Sequence, residues 1–178
     1  MNRRYLYEAT GFGPDVIDLW GRLGPRRLTH PFLTHPWLPA VMKAGDTRGH
    51  ILDGEALSSR KGGHRWNSRR PGKTTFPREW SDDDVMDACA RVVLDPSHIR
   101  AYERSGDVAY LREVSGVIIM VTIRAGGAFD RAFPISGNGV MRNSPSDTSP
   151  SRAPVPFDRG RLAEFTPIGE VPESDWRR

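Results

Sequence analysis

The seven residues Val117-Ile118-Ile119-Met120-Val121-Thr122-Ile123 constrain this chain more than any others. Extended, they place Val117, Ile119, Val121 and Ile123 on one face and Ile118, Met120 and Thr122 on the other. The stretch from Val114 to Arg124 therefore reads as a strand, and because both faces are apolar it must be covered on both, as a central strand is. Ala125-Gly126-Gly127-Ala128 then supplies a turn, and Phe129 to Phe133 can return as the antiparallel partner, closed by Pro134. Upstream the pattern changes to a helix from Asp82 to Leu94. Ser81 is a good N-cap, Asp82, Asp83 and Asp84 suit the positive end of the helix dipole, and Asp95-Pro96 ends it. Val85, Met86, Cys89, Val92 and Val93 form its buried stripe. A helix followed by a β-meander indicates an α+β fold.

Composition sets the frame around this centre. With 178 residues, 37% hydrophobic content, 18 Gly and 15 Pro, the chain suits one compact centre with polar, irregular flanks. Residues 1–47 read as a lead-in with a short helix running from Pro14 to Leu23, and residues 48–143 as the central domain. Residues 144–178 read as a Pro-rich tail, extended or disordered, with Phe157, Leu162, Phe165 and Trp176 able to dock. No apolar run is long enough to span a membrane, and Met1-Asn2-Arg3-Arg4 leads into Tyr5-Leu6-Tyr7-Glu8 rather than a signal-peptide core. Cys89 is the single cysteine, which excludes an intrachain disulfide and a cysteine-based zinc cluster; on the helix stripe it reads as a small core hydrophobe.

The net charge is +4, and arginine supplies 23 of the 26 basic residues. Between Arg48 and Trp80 eight positive side chains face three negative ones, the footprint of a polyanion site. The same segment holds His50, His64 and Lys73 within 24 residues. A P-loop is excluded, because Gly72-Lys73-Thr74 would need a glycine where Asn67 stands. A metal site is disfavoured too: neither His50 with His64 nor His30 with His35, in the repeated Leu-Thr-His-Pro, has a third ligand at suitable spacing. Without a metal, two histidines and a lysine can cleave RNA. One imidazole takes the proton of a ribose 2′-hydroxyl, the other protonates the departing 5′-oxygen, and the ammonium stabilises the charge on phosphorus.

The run His50-Ile51-Leu52, Gly62-Gly63-His64-Arg65, Gly72-Lys73-Thr74 with Phe76-Pro77, Trp80-Ser81-Asp82 and its helix, then Gly116-Val117 and Arg131-Ala132-Phe133-Pro134, resembles the bacterial EndoU endoribonuclease domain. That domain occurs as the C-terminal toxin of polymorphic and contact-dependent inhibition systems. The fourteen-residue separation of His50 and His64 matches the paired histidines of the wider group. The resemblance covers roughly Gly49 to Asn143 and implies a barnase/EndoU-type nuclease fold with an antiparallel sheet and packed helices. It implies an RNA endonuclease that leaves a 2′,3′-cyclic phosphate, with tRNA among its possible targets, and needs no cofactor. A toxin of this kind acts in the cytoplasm of a target cell after delivery and is neutralised by an immunity protein, here expected to be acidic and to cover the stripe from Arg48 to Arg78. His50 and His64 become the acid/base pair, with His64 the base by analogy, and Lys73 the transition-state cation. Lys43 and Lys61 lie outside the motif. Arg65, Arg69, Arg70, Thr74, Arg131, Phe133 and Ser136 are the expected substrate contacts. Where the family usually reads Thr-Ala-Tyr-Pro this chain reads Arg131-Ala132-Phe133-Pro134, so Arg131 would contact phosphate, Phe133 would stack on a base and Ser136 would supply a hydroxyl. The alternative is a catalytically impaired RNA-binding or partner-binding module on the same scaffold.

Overall fold

The computed structural model describes residues 45–58, 61–102, 104–124, 128–146 and 151–168. The expected helix at Pro14 to Leu23, the Leu-Thr-His-Pro repeat, Lys43, the glycines of the 125–127 turn and Trp176 lie outside these residues. In chain order the elements are α1 (Gly45–Leu52), β1 (Thr74–Thr75), α2 (Asp82–Leu94), β2 (His98–Tyr102), β3 (Asp107–Val114), β4 (Val117–Ile123), β5 (Phe129–Gly137), β6 (Met141–Asn143), β7 (Arg152–Pro154), a 3-10 helix (Arg159–Glu164) and β8 (Thr166–Pro167). Helices and antiparallel sheets together make the fold α+β.

The helix read at 82–94 forms with those bounds. Ser81 caps it reciprocally: its hydroxyl accepts from the Asp84 N–H at 3.1 Å, and the Asp84 carboxylate accepts from the Ser81 N–H at 2.8 Å. Its apolar face packs on β3 and β4, and Cys89 is fully buried there. Burial pushes the Cys89 thiol pKa far up, away from nucleophilic chemistry.

The main sheet has the order β5-β4-β3-β2-β8, with its neighbouring strands antiparallel. Every residue of β4 is buried. Val117, Ile119, Val121 and Ile123 join α2 in one core. Ile118 and Met120 face a second cluster with Ala109 and Leu111, closed over by Leu162 and Phe165. The segment read as a tail therefore covers the second face. It also contributes β7, paired with β6, and β8, paired with β2, so residues 151–168 are built into both sheets.

β5 departs from the expected end at Pro134. It continues to Gly137, and its pairing with β4 slips twice: Ile118 and Ile119 oppose Ser136 and Pro134, while Thr122 and Ile123 oppose Arg131 and Phe129. Ile135 and Asp130 are the extra residues of the two bulges. A bulge accommodates the proline's missing N–H and re-aims neighbouring side chains, which brings Asp130, Arg131, Phe133, Pro134 and Ile135 to one cleft. β1, β6 and β7 form a separate small sheet. It is tied to β5 by the Thr74 hydroxyl, which donates to the Pro134 carbonyl at 2.6 Å.

Candidate active site

The two histidines are brought together by backbone bonding between their flanking segments. α1, with two glycines in eight residues, carries no strong helical signal, and its carbonyls end against the chain at 63–65. Gly63, His64 and Arg65 donate their N–H groups to the carbonyls of His50, Ile51 and Leu52 at 3.1, 2.8 and 3.0 Å. These bonds satisfy the open end of the helix and fix His64 relative to His50. Gly62 is required by this contact: its φ is +62°, and a Cβ there would lie 1.8 Å from the His50 carbonyl oxygen. Gly62 thus serves close approach to α1.

Both imidazoles line a cleft of about 420 Å³, together with Lys73, Thr74, Arg131 and Phe133. His64 is 4% exposed, and its ring stacks on Phe133 with centroids 5.5 Å apart. Its Nδ1 lies 2.6 Å from the Thr74 carbonyl oxygen, which can only accept, so Nδ1 carries the proton and Nε2 is the basic atom. Burial lowers the His64 pKa to about 4, assisted by Lys73, His50 and Arg70 and opposed by the Thr74 carbonyl. His50 has a different setting. It sits edge-on to Phe129, with centroids 5.6 Å apart, and its Nδ1 lies 3.5 Å from Glu55 Oε1. Burial lowers its pKa as well, but Glu55 and Asp130 pull towards the imidazolium. Lys73 is half-buried, and its pKa is lowered by burial and by the guanidinium groups of Arg70 and Arg131. Crowded cations of this kind favour the arrival of an anion.

Other residues singled out from sequence are placed differently. Arg65 joins the ends of two helices, holding Asp53 at 3.0 Å and Asp82 at 2.5 Å. Arg70 donates to the carbonyls of Ser58 and Glu55 at 2.5 and 2.9 Å, clamping the loop after α1. Arg69 is exposed and is not among the cleft-lining residues. Ser136 is fully buried, its hydroxyl accepting from the Asp158 N–H at 3.3 Å, so it does not face the cleft. Thr74 lines the cleft, yet its hydroxyl is committed to Pro134 and its carbonyl to His64; it positions rather than offers a polar group. Much of the basic stripe is likewise balanced internally, with Arg48 on Asp83 at 2.7 Å and Lys61 on Glu55 at 3.3 Å.

The sequence did not reveal Glu55, Lys61, Arg124, Asp130 and Arg142 as cleft-lining residues. Asp130 is aimed there by a bulge, and Arg142 by the pairing of β6 with β1; neither has a signature in composition or spacing. Among the described residues no group of three or more His, Cys, Asp or Glu is placed to hold a metal ion.

Two imidazoles in contrasting electrostatic settings, facing one cation-rich cleft, make a site for acid–base chemistry on a phosphate ester. Residues 54–136 match the family model described as bacterial EndoU nuclease, which supports a nuclease domain of that kind there. No curated protein and no solved structure matches the chain.

Proposed function

We propose that the chain is an endoribonuclease that cuts RNA without a metal, by attack of the ribose 2′-hydroxyl on the adjacent phosphate. His64 Nε2 takes the hydroxyl proton, the 2′-oxygen–phosphorus bond forms, and the bond to the 5′-oxygen breaks as His50 gives that oxygen a proton. The products are a 2′,3′-cyclic phosphate and a free 5′-hydroxyl. Lys73 and Arg131 stabilise the charge on phosphorus, and Phe133 shapes the pocket beside His64. The observation that carries this reading is the contrast between the histidines. His64 is held neutral by burial, as a base must be, with the Thr74 carbonyl keeping its one proton on Nδ1, whereas His50 has carboxylates beside it that favour the protonated form of an acid. The biological reading follows the family resemblance: a delivered toxin domain acting in a target cell, tRNA among its candidate substrates, restrained by an acidic immunity protein that covers the cationic cleft.

Incubation of the chain with total bacterial RNA and chelator, beside His64→Ala and an oligonucleotide with one 2′-deoxy position, tests the chemistry. Cyclic phosphate ends that require both His64 and the 2′-hydroxyl are expected. RNA binding without cleavage by the folded wild-type chain would replace this reading with that of a binding module. Survival of cleavage at the 2′-deoxy position would exclude the transesterification route.

A further inference from the structure

Along β5 the cleft has an order. His50 sits against Phe129, His64 against Phe133, and Thr74 is bonded to Pro134. β6 follows, because Arg142 is the residue directly opposite Thr74 across the β1–β6 pair. Directly opposed residues project from the same face, and both of these line the cleft. Arg142 is therefore linked to His64 through Thr74, whereas His50 is linked to the start of β5 through Phe129.

Charge distinguishes the two ends. At the His50 end, Lys61 pairs with Glu55, and Arg124 and Arg131 pair with Asp130 at 3.1 and 3.3 Å. At the other end, the segments 68–75 and 141–146 contain no Asp or Glu. Arg142 is exposed there, and among the described residues no carboxylate pairs with it. It lies outside the segment that matches the family model. A guanidinium with no acidic partner among the described residues, in a cleft that handles phosphate esters, has the geometry to take a phosphate through two parallel hydrogen bonds.

We infer that Arg142 binds the phosphate immediately 5′ to the nucleotide whose 2′-hydroxyl attacks. The inference rests on the assignment of His64 as base and His50 as acid. The base marks the nucleotide that keeps the cyclic phosphate, and the acid marks the departing 5′-oxygen of the next one. The order His50, His64, Arg142 consequently runs 3′ to 5′ along the RNA, and the enzyme reads a phosphate upstream of the cut.

The test compares a dinucleoside monophosphate with the same molecule carrying a terminal 5′-phosphate or, separately, a terminal 3′-phosphate. The wild-type chain, Arg142→Ala and Arg142→Lys are assayed, with thermal unfolding as the control for folding. The 5′-phosphate should raise kcat/KM about tenfold in the wild type, the scale of one charged hydrogen-bonded contact. Arg142→Ala should abolish that gain, Arg142→Lys should retain part of it, and the 3′-phosphate should have little effect. A gain that persists in Arg142→Ala, an equal loss on all three substrates, or a gain from the 3′-phosphate instead would overturn the inference. Should the wild type cleave none of them, the endoribonuclease reading fails separately. Dissociation constants for the 2′-deoxy forms then decide the phosphate site, with the same tenfold gap and its loss in Arg142→Ala expected.

Discussion

His64 carries opposite consequences for activity and for stability. Its replacement by Ala should lower kcat by at least a hundredfold, the usual worth of a positioned base, with single-turnover kinetics as the check. On the proposed mechanism His64 must be neutral and His50 protonated, so the rate should rise with pH through about 4 and fall again as His50 loses its proton, below the ordinary histidine value of 6.5. Glu55 raises the His50 pKa, so Glu55→Gln should move the alkaline limb of kcat/KM to lower pH while leaving the acid limb in place. A limb that does not move would remove Glu55 from the mechanism. For stability, the unfolded chain binds the His64 proton at ordinary histidine pH, whereas the folded chain resists it down to about 4. The stabilisation is present above 6.5 and is lost as pH falls towards 4, a difference of roughly 3 kcal/mol. Denaturant titrations at pH 7.5 and 4.5 should show that loss, and His64→Gln should reduce it.

At the level of elements, the glycine pair and the 3-10 helix perform separate tasks. Gly62→Ala would drive a Cβ into the His50 carbonyl at a positive φ, so the contact that fixes the two histidines relative to each other should break. Activity should fall at least tenfold, with a loss of stability of about 1–3 kcal/mol that calorimetry would register. The 3-10 helix acts through Leu162, which closes the second face of β4 and is 9% exposed. Leu162→Ala should cost about 2–3 kcal/mol, the range for emptying a buried leucine position, and urea denaturation would measure it. This is where sequence reading was partial. The apolar run on both faces of β4 correctly implied two covers, but which segments supplied them depended on chain reversal over some forty residues, and local periodicity holds no information about that.

Across the whole molecule, the segment beyond β6 completes the fold instead of trailing from it. β7 extends the small sheet and β8 extends the main one, so a chain ended at Asn143 would leave the edges of β6 and β2 and the Ile118 face uncovered. Such a truncation should unfold without a cooperative transition, as differential scanning calorimetry would show. The sequence by itself determined the parts whose causes are local: the helix from Asp82 to Leu94 with its Ser81 cap, the central strand from Val117, the inert burial of Cys89 and the segment that matches the nuclease family model. Capping, alternation and motif spacing are encoded within a few residues of where they act. Only the tertiary structure decided which charges face the cleft. Arg65 and Arg70, prominent in the basic stripe, are held by Asp53, Asp82 and backbone carbonyls, while Glu55, Asp130 and Arg142 enter the cleft from a loop, a bulge and a distant strand. A side chain's charge is written in the sequence, but its partner is chosen by which segments the fold brings within about 4 Å, where charges couple strongly.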